Sequence, residues 1–406
     1  MFSNTKLSNR KYFLIAGLIA MLFAGVIYAW SILKVPFKTE LGFADSALSL
    51  CFTFTMCTFC LGAFFGSKLY KKIGVTLTCV IAGALSGLGF FLTGCVPLNS
   101  VLLYVFYALF AGFGIGIAYN VIISVVNAWY PDKKGFSSGV LLMGFGASTL
   151  ILGNVIDLLF KAESVGYKAT YMLLGTVIAV VIIGAGVIIK APSADVIFPE
   201  NQSVKKANKE SFEATDFTSA QMIKRFTFWR AFILLVFLTA VGNSVISFAR
   251  DLVLSVGATD SWAATLVGVL AVCNGLGRII TGVLFDNVGR RLTMLFSNLL
   301  TIFAALITLV SIMLGSLPLC IVGLCLTGLS YGSCPTVCSA FVSSFYGTKH
   351  FATNFSIINF NLIAASFIAT LSSNLMSISG GYTLPFIVLL SISIAALILN
   401  FTIKKP

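Results

Sequence analysis

Charge is what this chain has least of. Only 10% of its 406 residues are Asp, Glu, Lys or Arg, against about 25% in soluble domains, which excludes a soluble globular protein. The thirteen acidic residues all fall outside the middle of the apolar runs. Proton carriers inside membranes are mostly Asp, Glu or His, so a proton relay built from side chains is not expected. The single histidine, His350, and the lack of any histidine-rich run argue against a metal site, and no cofactor is expected. Glycine clusters occur at Gly83–Gly87 and Gly112–Gly116, but inside apolar runs with no preceding strand. They are not nucleotide loops, and no ATP-hydrolysing motif is present. The ten cysteines lie mostly in apolar runs, where they act as small packing residues rather than a disulfide framework. The first run, 12–33, carries no small-residue cleavage site, so no cleavable signal peptide is read.

What is there is apolar surface. The chain is 58% hydrophobic with a mean hydropathy of +1.03. A membrane span needs about 20 apolar residues, and twelve are expected: 12–33, 46–67, 74–94, 99–123, 136–158, 168–189, 229–250, 261–285, 292–313, 317–341, 351–374 and 383–402. Twenty of the 26 basic residues fall on one side of these spans and five on the other. Basic loops stay in the cytoplasm, so both termini are expected there, in a multi-pass protein of the cell membrane. The charge of +13 is a topology signal. It is spread over membrane-flanking segments instead of gathered on a face that binds nucleic acid.

Residues 191–228 break the pattern with prolines and mixed charge. The expected organisation is a six-helix bundle at 1–190, a central cytoplasmic loop at 191–228 and a second six-helix bundle at 229–406. Residues 216–224 read either as a short amphipathic helix on the membrane or as a plain linker. The halves repeat. Gly66 to Gly74 after span two overlays Gly282 to Arg291 after span eight, and Tyr130 after span four overlays Tyr346 after span ten. In these loops Gly66, Gly74, Gly282 and Gly289 permit close helix ends. Asp286, Arg290 and Arg291 form a candidate conformational latch, incomplete in the first half, where Tyr70 replaces the acid.

One charge sits inside a span. Arg278 lies in the uncharged run from Val267 to Phe285. Burying it costs at least ~2.5–3.5 kcal/mol on insertion scales, and the simplest partner is an anionic substrate, gripped by the guanidinium fork. The alternative is an arginine bonded to backbone carbonyls. Asn274 is one turn away on the same helix face. Tyr28 and Tyr119 carry mid-span hydroxyls that need partners, and Asn361, Asn243 and Asn359 are weaker candidates. Trp30 reads as cavity lining or as an interfacial anchor. Asn120 reads as packing, and Gly144, Gly146 and Pro335 as bends.

The paired loops resemble those of the major facilitator superfamily over essentially the whole chain. Tyr28 to Ser31, the loop from Trp129 to Gly135, and Asn274 to Arg278 are more specifically similar to the oxalate–formate antiporter branch, which is related to the monocarboxylate transporters. The resemblance implies the all-α major facilitator fold and alternating access, with Arg278 at the position of an arginine that meets the substrate carboxylate. Tyr28, Tyr119 and Tyr331 match aromatic residues of the oxalate carrier. There are departures. A lysine expected in span eleven is replaced by Leu362, beside Asn361. A tryptophan is replaced by Thr327 and a glutamine by Ile27. The aspartate usual in monocarboxylate symporters is Asn274. One cation suits a monoanion, so the expected substrate is a small monocarboxylate such as formate, lactate or pyruvate, exchanged as an anion by a monomer in the lipid bilayer. The alternatives are a proton-coupled symporter, an oxalate/formate exchanger and, lower, a non-transporting sensor; a cation exporter would want intramembrane acids. Expected substrate-binding residues are Arg278, Tyr28, Tyr119, Asn274, Tyr331 and Asn361.

Overall fold

In lipid every backbone polar group must be satisfied within the protein, which leaves long apolar runs only the helix. The computed structural model describes residues 9–95, 99–130, 134–192, 196, 216–347 and 350–403; the side chains of 134–136, 286, 290, 343, 351 and 352 are outside the described set. Among the described residues there is no strand, and twelve helices are long and apolar enough to cross a membrane. They are α1 Arg10–Thr39, α2 Asp45–Ile73, α3 Val75–Cys95, α4 Ser100–Ala128, α5 Ser137–Lys161, α6 Gly166–Ile188, α7 Phe226–Ser255, α8 Asp260–Phe285, α9 Arg291–Leu314, α10 Leu317–Tyr346, α11 Thr353–Ser379 and α12 Thr383–Thr402. All twelve expected spans are present. Several run further than hydropathy shows, because a helix does not stop where lipid does: α2 continues through Lys68, Lys71 and Lys72 to Ile73.

Twelve crossings bring Arg10 and Ile403 to one face, the basic face; the opposite one is the far face. Side chains such as Leu77, Leu88, Val101, Leu158, Val180 and Ile398 point outward and are exposed, the apolar girdle of a lipid-facing surface. Inside the first bundle Trp30 is fully buried, its ring 4.7 Å from that of Tyr107. This corrects the interfacial-anchor reading: α1 continues beyond Trp30 to Thr39, and the indole packs inside the protein, away from any lipid-facing surface. The repeat is visible in the backbone. Gly74 (φ 83°, ψ 168°) after α2 and Gly289 (φ 76°, ψ 178°) after α8 adopt one conformation, open essentially to glycine alone. Gly66 packs on Ile117 of α4. Arg291 is exposed at the start of α9, whereas the side chains of Asp286 and Arg290 lie outside the described residues.

The first six helices and the last six meet chiefly along α5 against α8 and α2 against α11. The α5–α8 pair is antiparallel. On the far-face side Thr265 Oγ1 donates to Asn154 Oδ1 at 3.0 Å, and a methyl placed on Gly268 falls 2.5 Å from Leu150. Toward the basic face a methyl on Gly146 comes 3.0 Å from the Ala271 carbonyl, one on Gly275 3.4 Å from Met143, and one on Gly139 3.6 Å from Ile279. Among the described residues nothing lies within 4 Å of a methyl on Gly282. The pair is a wedge, closed at the far face and spreading toward the basic face. Gly144 and Gly146 sit in an unbroken helix, so they serve close packing and not bending. Helix α10 likewise continues through Pro335. The irregularities lie elsewhere: a 3-10 stretch at Gly25–Ala29 in α1, a π-helical stretch at Tyr104–Ala111 in α4, a non-helical Phe248 in α7 and a break between Ile358 and Asn361 in α11.

Within 216–224 a short helix, Ser219–Ile223, forms with a capping box between Thr218 and Gln221. It is not a free linker. Phe217 N donates to the Tyr346 carbonyl at 3.1 Å, Ser219 Oγ donates to Asn354 Oδ1 at 2.7 Å, and Met222 is buried, so the segment docks on the ends of α10 and α11.

Candidate functional site

A cavity lies where the wedge opens, between the two sets of helices. It offers about 30 Å³ to the centres of water-sized molecules, room for about two waters. The first bundle contributes Tyr28 from α1, Phe59, Cys60 and Ala63 from α2, and Tyr119 and Asn120 from α4. The second contributes Thr239 from α7, Arg278 from α8, and Tyr331, Cys334, Pro335 and Cys338 from α10. Ser356, Asn359, Asn361 and Leu362 of α11 complete it. Five of the six expected binding residues therefore line one cavity. Asn274 does not. It lines a smaller cavity on the far-face side with Tyr28 and Thr149, where its Oδ1 is buried without a partner.

Arg278 is 4% exposed. Its Nη1 donates to the Leu142 carbonyl of α5 at 3.2 Å, so one of its five donors reaches the opposite bundle. Its Nε is buried with no partner, and among the described residues no carboxylate pairs with it. The backbone-bonded alternative thus describes part of its hydrogen bonding. Among the described residues Arg278 remains the only cation in the lining, beside a cavity otherwise made of neutral groups.

Two local irregularities shape the lining. The 3-10 stretch in α1 places Tyr28 toward the bundle interface, where its hydroxyl lies 3.1 Å from that of Tyr331. Tyr331 in turn donates to Asn243 Oδ1 at 2.8 Å, leaving Tyr28 as donor in the first contact. Asn243 Nδ2 donates to the Leu362 carbonyl at 3.4 Å. This chain of hydroxyls and amides crosses from α1 to α10, α7 and α11 and bounds the cavity toward the far face. The rings of Tyr28, Tyr119 and Phe59 stand close to Phe145, with centroids 5.2, 5.1 and 6.2 Å away, giving the first bundle an aromatic wall. The break in α11 is held by Asn361, whose Nδ2 donates to the Ile358 carbonyl at 2.7 Å and whose Oδ1 accepts from Thr239 at 3.0 Å. Asn361 reaches the cavity with its amide already engaged.

Asn120 lines the cavity, contrary to the packing reading. Cys60, Cys334, Cys338, Thr239 and Ser356 were not singled out as lining. The signal for α10 was available: Tyr331, Cys334, Pro335 and Cys338 recur at i, i+3, i+4 and i+7, one helix face. Cys57 and Cys60 have the two-residue spacing of a redox or metal pair, but they lie on unbroken helix with free thiols. Among the described residues no three His, Cys, Asp or Glu side chains converge to hold a metal.

Comparison with known proteins agrees with this architecture. The family model of the Major Facilitator Superfamily matches residues 12–256 and again 232–406. The oxalate:formate antiporter of Oxalobacter formigenes is 30% identical over 294 residues, covering 71% of this chain and 66% of that protein. Monocarboxylate transporter 12 of Mus musculus is 26% identical over 276 residues, 63% of this chain and 56% of that one. The chain therefore aligns with just under two thirds of the antiporter's length and a little over half of the mouse protein's. Among solved structures, a bacterial homologue of the human lysosomal transporter Spinster, crystallised inward-facing and unoccupied, superposes with a TM-score of 0.69 at 14% identity over 97% of each chain; that likeness speaks to the fold alone. Twelve helices, duplicated halves, a polar cavity at their junction and a family match along nearly the whole sequence lead to one conclusion: this multi-pass membrane protein belongs to the major facilitator superfamily, a family of transporters.

Proposed function

We propose that this chain exchanges small monocarboxylates, formate foremost, by alternating access in the cell membrane. The observation that carries the reading is Arg278: one buried cation with an unpartnered Nε, beside a cavity lined by neutral residues. A carboxylate there gains charge-assisted hydrogen bonds of ~1.5–3 kcal/mol each. Two of them supply most of the ~4 kcal/mol that a millimolar affinity needs. The cavity's size favours an anion of a few heavy atoms, and larger acids require it to widen. No aspartate, glutamate or histidine lines it among the described residues, which supports exchange of anions over coupled proton movement. An empty arginine resists being sealed in a dry interior, so the unloaded carrier turns over slowly. The positive-inside bias supports a cytoplasmic basic face. Residues 1–190 and 229–406 rock as two bodies joined by 191–228, in a monomer, with the paired loops from Gly66 and Gly282 as the latch.

Labelled-formate counterflow in proteoliposomes, with lactate, pyruvate and oxalate as trans substrates, tests this. Formate exchange well above net efflux supports it, and no flux with any carboxylate removes it. Oxalate exchange is the second reading, favoured by the relative named oxalate:formate antiporter. Leu362 lines the cavity at the position where the resemblance expects a lysine. Leu362→Lys adds a second cation and is expected to raise the preference for oxalate over formate by about tenfold, roughly 1.4 kcal/mol, measured by competition in the same assay.

A further inference from the structure

Four charged side chains close into a ring at the far face. Arg250 Nη1 lies 2.8 Å from Asp157 Oδ1 and its Nη2 2.5 Å from Asp260 Oδ1. Lys161 Nζ lies 2.8 Å from Asp157 Oδ2 and 2.8 Å from Asp260 Oδ2. Each carboxylate oxygen takes one cation and the signs alternate around the ring. Asp157 and Lys161 come from α5 of the first bundle, Arg250 and Asp260 from α7 and α8 of the second. Two ring contacts therefore cross between bundles, Arg250–Asp157 and Lys161–Asp260, and two stay within one, Lys161–Asp157 and Arg250–Asp260. Arg250 is 4% exposed and Asp157 8%, so their crossing contact is not a loose surface pair of the kind that contributes little; Lys161 and Asp260 form the solvent-exposed side of the ring. A further crossing pair, Lys34 of α1 with Asp251 of α7 at 2.7 Å, lies on the same face.

We infer that this ring is the far-face gate of the transport cycle: a clasp that holds the bundles together while the cavity faces the basic side and parts when it faces the far side. The α5–α8 wedge supports this placement, since its closed end terminates at the ring. The pairing also explains how the clasp can reopen. Breaking a buried ion pair is costly when a charge is left alone. Here each bundle leaves with its own neutral pair, Asp157 with Lys161 (i, i+4) and Arg250 with Asp260, so separation strands no ring charge. An exposed hydrophobic seam would gate too, but it would open unpaired apolar surface to water at each turnover.

The inference rests on the carrier reading and is independent of which substrate is carried. Its test is hydrogen–deuterium exchange of the full-length protein in detergent, which needs no substrate. Asp157→Asn with Lys161→Gln removes both crossing ring contacts and keeps the Arg250–Asp260 pair. Arg250→Gln with Asp260→Asn removes the same contacts from the other side, and either double variant suffices if its partner fails to fold. The expected result is exchange about fivefold or more faster in the far-face halves of α5 and α8, with slower exchange around Cys334–Cys338 and 356–362 as the cavity side closes. Unchanged exchange, acceleration at both faces, or acceleration at the far face without slowing at the cavity overturns the gate. A shift of this kind in a protein that shows no carboxylate flux would leave the gate standing and remove the substrate reading.

Discussion

Arg278→Gln is expected to lower formate counterflow by about 10²–10⁴-fold. Two charge-assisted hydrogen bonds at ~1.5–3 kcal/mol each amount to ~3–6 kcal/mol, and each 1.4 kcal/mol is a factor of ten. Glutamine keeps a donor for the Leu142 carbonyl, which Arg278 reaches at 3.2 Å, so the fold should survive and the melting temperature in detergent should move little. Arg278→Lys keeps the charge but loses the planar fork, and is expected to fall between the two. If Arg278→Gln exchanges formate at the original rate, Arg278 is not the carboxylate ligand.

The largest structural loss is expected from Gly332→Val. Helices α8 and α10 cross in close contact through three glycines. A methyl on Gly332 collides with the Asn274 carbonyl and lies 3.1 Å from its Oδ1; one on Gly328 lies 2.7 Å from Cys273 Cβ; one on Gly277 collides with the Leu329 carbonyl. Between membrane helices small residues permit the close packing that holds bundles together. Overpacking typically costs ~1–3 kcal/mol, and here the obstacle is backbone, which cannot rotate away. Gly332→Val should lower the detergent melting temperature by several degrees and reduce purified yield, with Gly332→Ala intermediate. A melting curve unchanged for both would show that α8 and α10 can separate without cost. Because Arg278, Tyr331 and Asn274 ride on these two helices, transport should fall along with stability.

Much of this architecture was legible because hydropathy and charge are read locally. Each span announces itself in about 20 residues, and a lone arginine in such a run stands out without any partner being known. Helix ends were not legible, since α2 stays helical through its lysines. Asn274 shows the limit of face arguments: i and i+4 do share a side, but the tyrosine pair closes the cavity at the level of Arg278, so one turn toward the far face lies beyond it. Lys34, Lys161 and Arg250 entered the sequence reading only among the five basic residues of one side, and Asp157 and Asp260 only among the thirteen acids outside the middle of the apolar runs. Their pairing joins residues up to 217 positions apart, from Lys34 to Asp251, and depends on how α1, α5, α7 and α8 abut. The break in α11 that positions Asn361 has no glycine or proline to mark it.

Because each side of the far-face ring carries one positive and one negative charge, parting it moves no net charge through the membrane's electric field. A full elementary charge crossing that field responds with ~2.3 kcal/mol per 100 mV; a neutral pair responds with almost nothing. Among the described residues Arg278 is the cation of the cavity lining, and a bound monoanion cancels it; the Lys34–Asp251 pair, by contrast, is split when the bundles part. Monoanion exchange should therefore run at the same rate whatever voltage is imposed across the vesicle, while exchange of a dianion for a monoanion should generate current. The ring itself adds no charge movement to the opening of the far face and leaves the cargo's valence to decide whether exchange carries current.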